Sequence, residues 1–120
     1  MVLRRGGMAG ILRKGDVVWA NLDPVIGHEQ AGQRPVLVIS DEVLNRYSGT
    51  VIAMALTTKE PKAGFPLTHA LSRKIAGKQA WVRITQIRTL STKRLGRMLG
   101  RVDEGDVAYI LDGLNEILGN

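Results

Sequence analysis

The 120-residue chain has no cysteine. That absence removes disulfides, zinc–thiolate centres and a cysteine nucleophile from consideration, and it suits a reducing compartment, so a cytoplasmic location is expected. Long apolar runs are also missing, and nothing approaches the ~18 residues needed to span a bilayer. The N-terminus carries Arg4, Arg5, Arg13 and Lys14, but Met8, Ala9, Ile11 and Leu12 are too few and too broken by glycine to form a signal-peptide core. Aromatic residues are scarce, with two Trp, two Tyr and one Phe. Trp19 and Trp81 fall in strand patterns that suit a core or an interface, leaving Tyr47 and Phe65, near loops, to stack on unpaired bases.

Acidic residues are unevenly missing. Residues 59–101 hold eleven Lys and Arg against the single acid Glu60, whereas residues 102–120 hold five acids and no Lys or Arg. A folded segment with that excess of cations needs an anionic partner, and polyphosphate is the commonest. A membrane surface would call for a basic amphipathic helix with bulky apolar residues opposite, which the sequence lacks. Nucleic acid is therefore the expected partner, and no membrane association is expected.

What is present reads as a mostly β, α+β chain of one domain, spanning 14–120 behind a loose leader at 1–13, with Met8 as an alternative start. Strand patterns cover 16–22, 35–40, 50–57, 67–71 and 80–87, with a short one near 98–102 and a helical turn at 41–45. The last of the long strands alternates Trp81, Arg83 and Thr85 with Val82 and Ile84. Val107, Ile110, Leu111, Leu114, Ile117 and Leu118 recur at helical spacing. Asp103 and Asp106 resemble a capping box for that helix, and Gly119 offers its left-handed stop. Short strands and one terminal amphipathic helix predict a strongly curved small barrel, or half-barrel sheet, with the helix packed against it.

The chemistry concentrates between Gly27 and Ser40, where a polar loop runs through Arg34-Pro35 into an apolar strand. Within seven residues it offers His28, Glu29, Gln30 and Arg34. Cutting a phosphodiester requires a group to take a proton, a group to return one and a fixed cation for the developing charge. RNA can supply its own nucleophile, the 2′-hydroxyl, which leaves a cyclic phosphate and needs no metal. Arg34 suits the cation role, because its planar fork can grip phosphate oxygens from a rigid strand edge. As an imidazole, His28 can carry a proton in either direction. Glu29 is the loop's carboxylate, able to act as a base, to position Arg34 or to tether the loop. Gln30 can read a base edge. His69, inside a short strand, reads as structural.

The successive blocks Lys14-Gly15-Asp16-Val17-Val18-Trp19, Leu22-Asp23-Pro24, Gly27 to Gly32, Arg34 to Val38, Asn45-Arg46, Leu56-Thr57 and Gln86 to Leu90 resemble those of the MazF/PemK (Kid) toxin family. The resemblance spans roughly residues 14–118. It implies an SH3-like barrel, a homodimer, a ribosome-independent, sequence-specific endoribonuclease acting on single-stranded RNA, and neutralisation by a cognate acidic, MazE-like antitoxin; no cofactor or metal is implied. It assigns Thr57, at the end of the third strand, to orienting the scissile phosphate or the attacking oxygen. It also makes Arg83 a catalytic or phosphate-binding candidate, since the Kid-like branch has a catalytic Arg there. That branch carries an assisting Asp two residues later, where this chain has Thr85, so an Arg34–Thr57 centre is the expectation.

Substrate contacts are expected from Thr58, Lys59 and Phe65 in the loop after the third strand, and from Thr85, Gln86 and Arg88 on the strand from 80. Two rival functions follow from the same features: a non-catalytic nucleic-acid-binding barrel, for which the basic segment suffices, and a CcdB-like toxin that acts on gyrase by protein contact. The Gly27–Arg34 loop favours the nuclease.

Overall fold

The computed structural model describes residues 11–23, 27–28 and 32–119. Its strands are β1 (Asp16–Asn21), β2 (Gln33–Val38), β3 (Thr50–Thr57), β4 (Thr68–Ala70), β5 (Trp81–Ser91) and β6 (Leu95–Arg101), with helices α1 (Glu42–Ser48) and α2 (Glu104–Ile117). They form one antiparallel sheet in the order β4-β5-β3-β2-β1-β6. Of the two expected forms, the sheet takes the open one. β4 and β6 remain its two edges, and register shifts in the β1–β6 and β3–β5 pairs supply the local bends that bulges impose.

Alternation along the central strands divides the buried residues between the two faces of the sheet. One face gathers Val18, Ala20, Val36, Val38, Val51, Ala53 and Ala55 around Leu12, Leu22, Leu90 and Leu95. The other gathers Val17, Leu37, Met54, Leu56, Val82 and Ile84, and α2 covers it with Val107 and Ile110. A sheet buried on both sides explains why β2 and β3 read as continuous apolar runs. Leu12 lies within the core, two residues before the domain start expected at 14. Among the described residues no helix is long and apolar enough to cross a membrane.

Several boundaries differ from the sequence reading. β2 begins at Gln33, β5 runs on to Ser91, and β6 starts at Leu95. The expected helical turn is the two-turn helix α1, which Asp41 caps by accepting from Val43 N at 2.9 Å. Asp103 does occupy the N-cap of α2, but its side chain makes no capping bond. Arg73 holds that carboxylate at 2.7 Å and Ser72 Oγ lies 3.0 Å from it, so tertiary partners displace the capping box. Gly119 takes the left-handed conformation expected of it.

The Lys14-Gly15-Asp16 block acquires a physical reason. Gly15, at φ +100°, donates to Val38 O and accepts from Val102 N, each at 2.8 Å. Asp16, nearly fully buried, accepts from Arg13 N at 2.9 Å and pairs with Arg101. Three chain segments are thus tied together beneath β1.

Candidate active site

Arg34 and Thr57 stand at the ends of adjacent strands. The β2–β3 register pairs Val38 with Ala53, Leu37 with Met54 and Val36 with Ala55. Arg34 lies two residues before the last pair of this ladder on β2, and Thr57 two residues after it on β3. Both line one cavity of about 260 Å³, together with Gln33, Thr58 and Lys78 as its polar members and Trp19, Pro35, Leu56, Ile75 and Leu99 among its apolar ones. Trp19 and Pro35, partners in the β1–β2 register, share this lining. Trp19 therefore contributes to the site as well as to packing.

Thr57 is 9% exposed, and its Oγ1 accepts a hydrogen bond from Lys59 N at 3.2 Å. A hydroxyl has one donor and two acceptor positions. The Lys59 bond uses an acceptor position, so the O–H remains able to donate to an anionic oxygen in the cavity. Among the described residues no carboxylate lines this cavity. The charged residues among its described lining are Arg34 and Lys78, which suits holding a phosphate.

The connection between β1 and β2 has a braced neck. Leu22 N donates to Gly32 O at 3.0 Å, and Gly32 N donates to Asp23 Oδ1 at 2.9 Å. Arg94 donates to the carbonyls of Asn21 and Asp23, while Arg88 reaches Leu22 O at 3.4 Å. His28 is exposed in a turn of this connection and lines no described cavity, and Glu29 and Gln30 lie outside the described residues.

The other sequence candidates are dispersed. Arg83 pairs with Thr68, two residues along β5 from Trp81, which pairs with Thr57. Arg83 therefore points to the same side of the sheet as Thr57 without lining its cavity, and its buried Nε has no partner among the described residues. Phe65 lines a second cavity of about 500 Å³ with Lys62, His69, Trp81 and Tyr109. Thr85, Gln86 and Arg88 line a third of about 360 Å³. Lys59 lines none of the three. Among the described residues, Thr58 alone of the expected substrate contacts joins Arg34 and Thr57. Sequence reading missed Gln33 and Lys78. Gln33 is legible as the neighbour of Arg34, whereas Lys78 carries no sequence signal beyond its charge.

His69 belongs to a separate polar cluster. Its Nε2 lies 2.7 Å from Asp106 Oδ1, and its ring stacks on Tyr109 with centroids 5.0 Å apart. Ser72 donates to Asp106 Oδ2 from Oγ at 2.7 Å and from its backbone N at 3.1 Å. Because Ser72 bonds to the carboxylate and not to the imidazole, the three do not form a nucleophilic relay. Burial pushes the Asp106 carboxyl up, but the hydrogen bonds from His69 and Ser72 and the charge of His69 outweigh it, leaving the pKa below its ordinary value. The cluster pins α2 to β4.

Comparison with known proteins agrees with this architecture. Residues 13–118 match the family of PemK-like, MazF-like toxins of type II toxin–antitoxin systems. The chain is 38% identical over 110 residues to endoribonuclease EndoA of Bacillus subtilis (strain 168), covering 90% of this chain and 91% of that one. The crystal structure of MazF (Form-I) from Deinococcus radiodurans superimposes with a TM-score of 0.81 at 28% identity, covering 92% of this chain and 99% of that one. A mycobacterial endoribonuclease in complex with its cognate antitoxin superimposes with a TM-score of 0.74 at 27% identity, covering 90% and 95%. The chain belongs to the PemK/MazF-like toxin family.

Proposed function

We propose that this MazF-like endoribonuclease cuts single-stranded RNA without a metal, using the ribose 2′-hydroxyl as nucleophile and leaving 2′,3′-cyclic phosphate and 5′-hydroxyl ends. The observation that carries the proposal is the meeting of Arg34 and Thr57 at one cavity. Arg34 grips the scissile phosphate and steadies the charge that builds on its oxygens. The Thr57 hydroxyl donates to the same phosphate and fixes its orientation. Proton transfer falls to the β1–β2 connection, where His28 and Glu29 are the candidates, and Arg83 assists as a phosphate contact on the same side of the sheet.

The protein works in the cytoplasm as a homodimer, and a cognate acidic antitoxin silences it. The complex of a mycobacterial relative with its antitoxin supports that partner, and the cationic cavity and the basic segment 59–101 supply a surface for acidic chain. Light scattering is expected to give twice the chain mass, and a stable monomer would overturn the dimer.

The test of the chemistry is an RNA oligonucleotide incubated with the protein in EDTA, with the ends of the products analysed. Cutting with cyclic phosphate ends, and loss of cutting when a 2′-deoxy nucleotide precedes the scissile bond, are expected. Cutting that survives the 2′-deoxy substitution or that vanishes in EDTA would overturn the mechanism.

A further inference from the structure

One wall of the Arg34–Thr57 cavity is a hairpin that the proposed chemistry does not use. Residues 75–78 form a two-residue turn in which Ala76, at φ +51°, and Gly77, at φ +80°, are both left-handed. Ile75 N donates to Lys78 O at 2.8 Å and Lys78 N to Ile75 O at 3.0 Å, closing it. Positive φ at both central positions is what a tight turn of this type demands, and Ala76 accepts it without being glycine.

The hairpin is anchored on both sides. Ile75 is buried in the core cluster with Leu56, Ala80 and Val102. The Gln79 side-chain amide donates to Leu71 O and Ala80 O, each at 3.0 Å. A lysine set on so fixed a base has its Cα placed by the fold, even though its stem is flexible. Lys78 lines the cavity with Arg34 and Thr57, and among the described residues its ammonium has no ion-pair or hydrogen-bond partner. By contrast, Arg73 and Arg101, from the same basic segment, are paired with Asp103 and Asp16.

We infer that Lys78 is a substrate-positioning residue, holding the phosphate next to the scissile one so that the RNA backbone enters the cavity in register with Arg34. This rests on the ribonuclease reading above. The division of labour follows from the two side chains. Arg34 offers a planar fork at a strand end, suited to a bidentate hold on the reacting group, whereas Lys78 offers a compact charge that binds a phosphate without demanding one geometry. An interaction made equally in ground and transition states lowers KM and leaves kcat alone.

Two measurements test it on the full chain. The first is steady-state cleavage of a single-stranded RNA by the wild type and by Lys78→Ala, Lys78→Arg, Lys74→Ala and Arg34→Ala. Lys78→Ala is expected to raise KM about tenfold with kcat within about twofold, the loss expected of one phosphate contact. Lys78→Arg restores KM, and Lys74→Ala, an exposed lysine outside the cavity, matches the wild type. The second is anisotropy titration of a 2′-deoxy-substituted oligonucleotide at several salt concentrations. Removing one phosphate contact to a single strand flattens the slope of log affinity against log salt by about 0.7, which Lys78→Ala shows and Lys74→Ala does not.

Unchanged KM and salt slope in Lys78→Ala, with Arg34→Ala inactive, would overturn this inference and leave the ribonuclease assignment standing. A loss confined to kcat would overturn it too, as would an equal loss in Lys74→Ala. A wild type that binds the oligonucleotide but never cuts RNA would instead defeat the ribonuclease reading, and the salt slope would still decide whether Lys78 holds a phosphate.

Discussion

Arg34 lies two residues before Val36 and Thr57 two residues after Ala55, the last pair of the β2–β3 ladder, and both line one cavity. The two adjacent strands therefore carry both residues to the cavity. A cation and a hydroxyl placed this way cost little to reorganise when a phosphate arrives.

The two residues should fail differently. Thr57→Ala removes one hydrogen bond to a charged group, worth about 1.5–3 kcal/mol, so single-turnover cleavage is expected to slow about tenfold to a hundredfold. Thr57→Ser keeps the hydroxyl and should retain most of the rate. Equal losses in both variants would show that the methyl group, not the hydroxyl, matters.

α2 approaches the chain before β4 closely enough to need a glycine. A Cβ on Gly113 would meet Ile84 Cδ1 and the Pro66 carbonyl oxygen at 2.9 Å each, and the carbonyl is backbone that yields little. Gly105, near the start of the same helix, faces open space. Alanine ordinarily stabilises a helix by about 1 kcal/mol relative to glycine. Urea unfolding should show that gain, or part of it, for Gly105→Ala, and a loss of about 1–3 kcal/mol for Gly113→Ala from overpacking.

The Asp106 cluster makes stability depend on acid. The folded-state pKa of this carboxyl lies below its unfolded value, so its contribution is fully present above the ordinary carboxylate value of about 3.9 and is lost as pH falls through the folded value. Asp106→Ala strands the Ser72 donors and His69, at a cost of about 1–3 kcal/mol near neutral pH. Followed from pH 7 to pH 3, the gap in denaturation midpoint between the wild type and this variant should begin to narrow below about pH 3.9. A constant gap across that range would contradict the account.

Much of the fold was legible because local pattern and tertiary packing agree. The bounds of β3 and the left-handed Gly119 follow from β-branched runs and turn chemistry that the folded chain has no reason to override. The α2 cap was misread because Arg73, thirty positions away in sequence, takes the Asp103 carboxylate. The site was legible in part. Arg34 announces itself through its loop and the strand it precedes. Thr57 is an ordinary strand-end residue apart from its family resemblance, and only the folded chain shows that it lines the same cavity as Arg34. Lys78 is one solvated lysine among many until the hairpin turn and the fold of the sheet bring it to the same cavity.

The central claim is that the Arg34 guanidinium stabilises the reacting phosphate. Its most direct test is the single-turnover rate of RNA cleavage by Arg34→Ala and Arg34→Lys, with circular dichroism spectra recorded to establish that each variant is folded. Loss of one preorganised donor to developing charge predicts a fall of about 10²–10³-fold for Arg34→Ala, only partly recovered by lysine. A folded Arg34→Ala variant that cuts RNA at the wild-type rate would contradict the account.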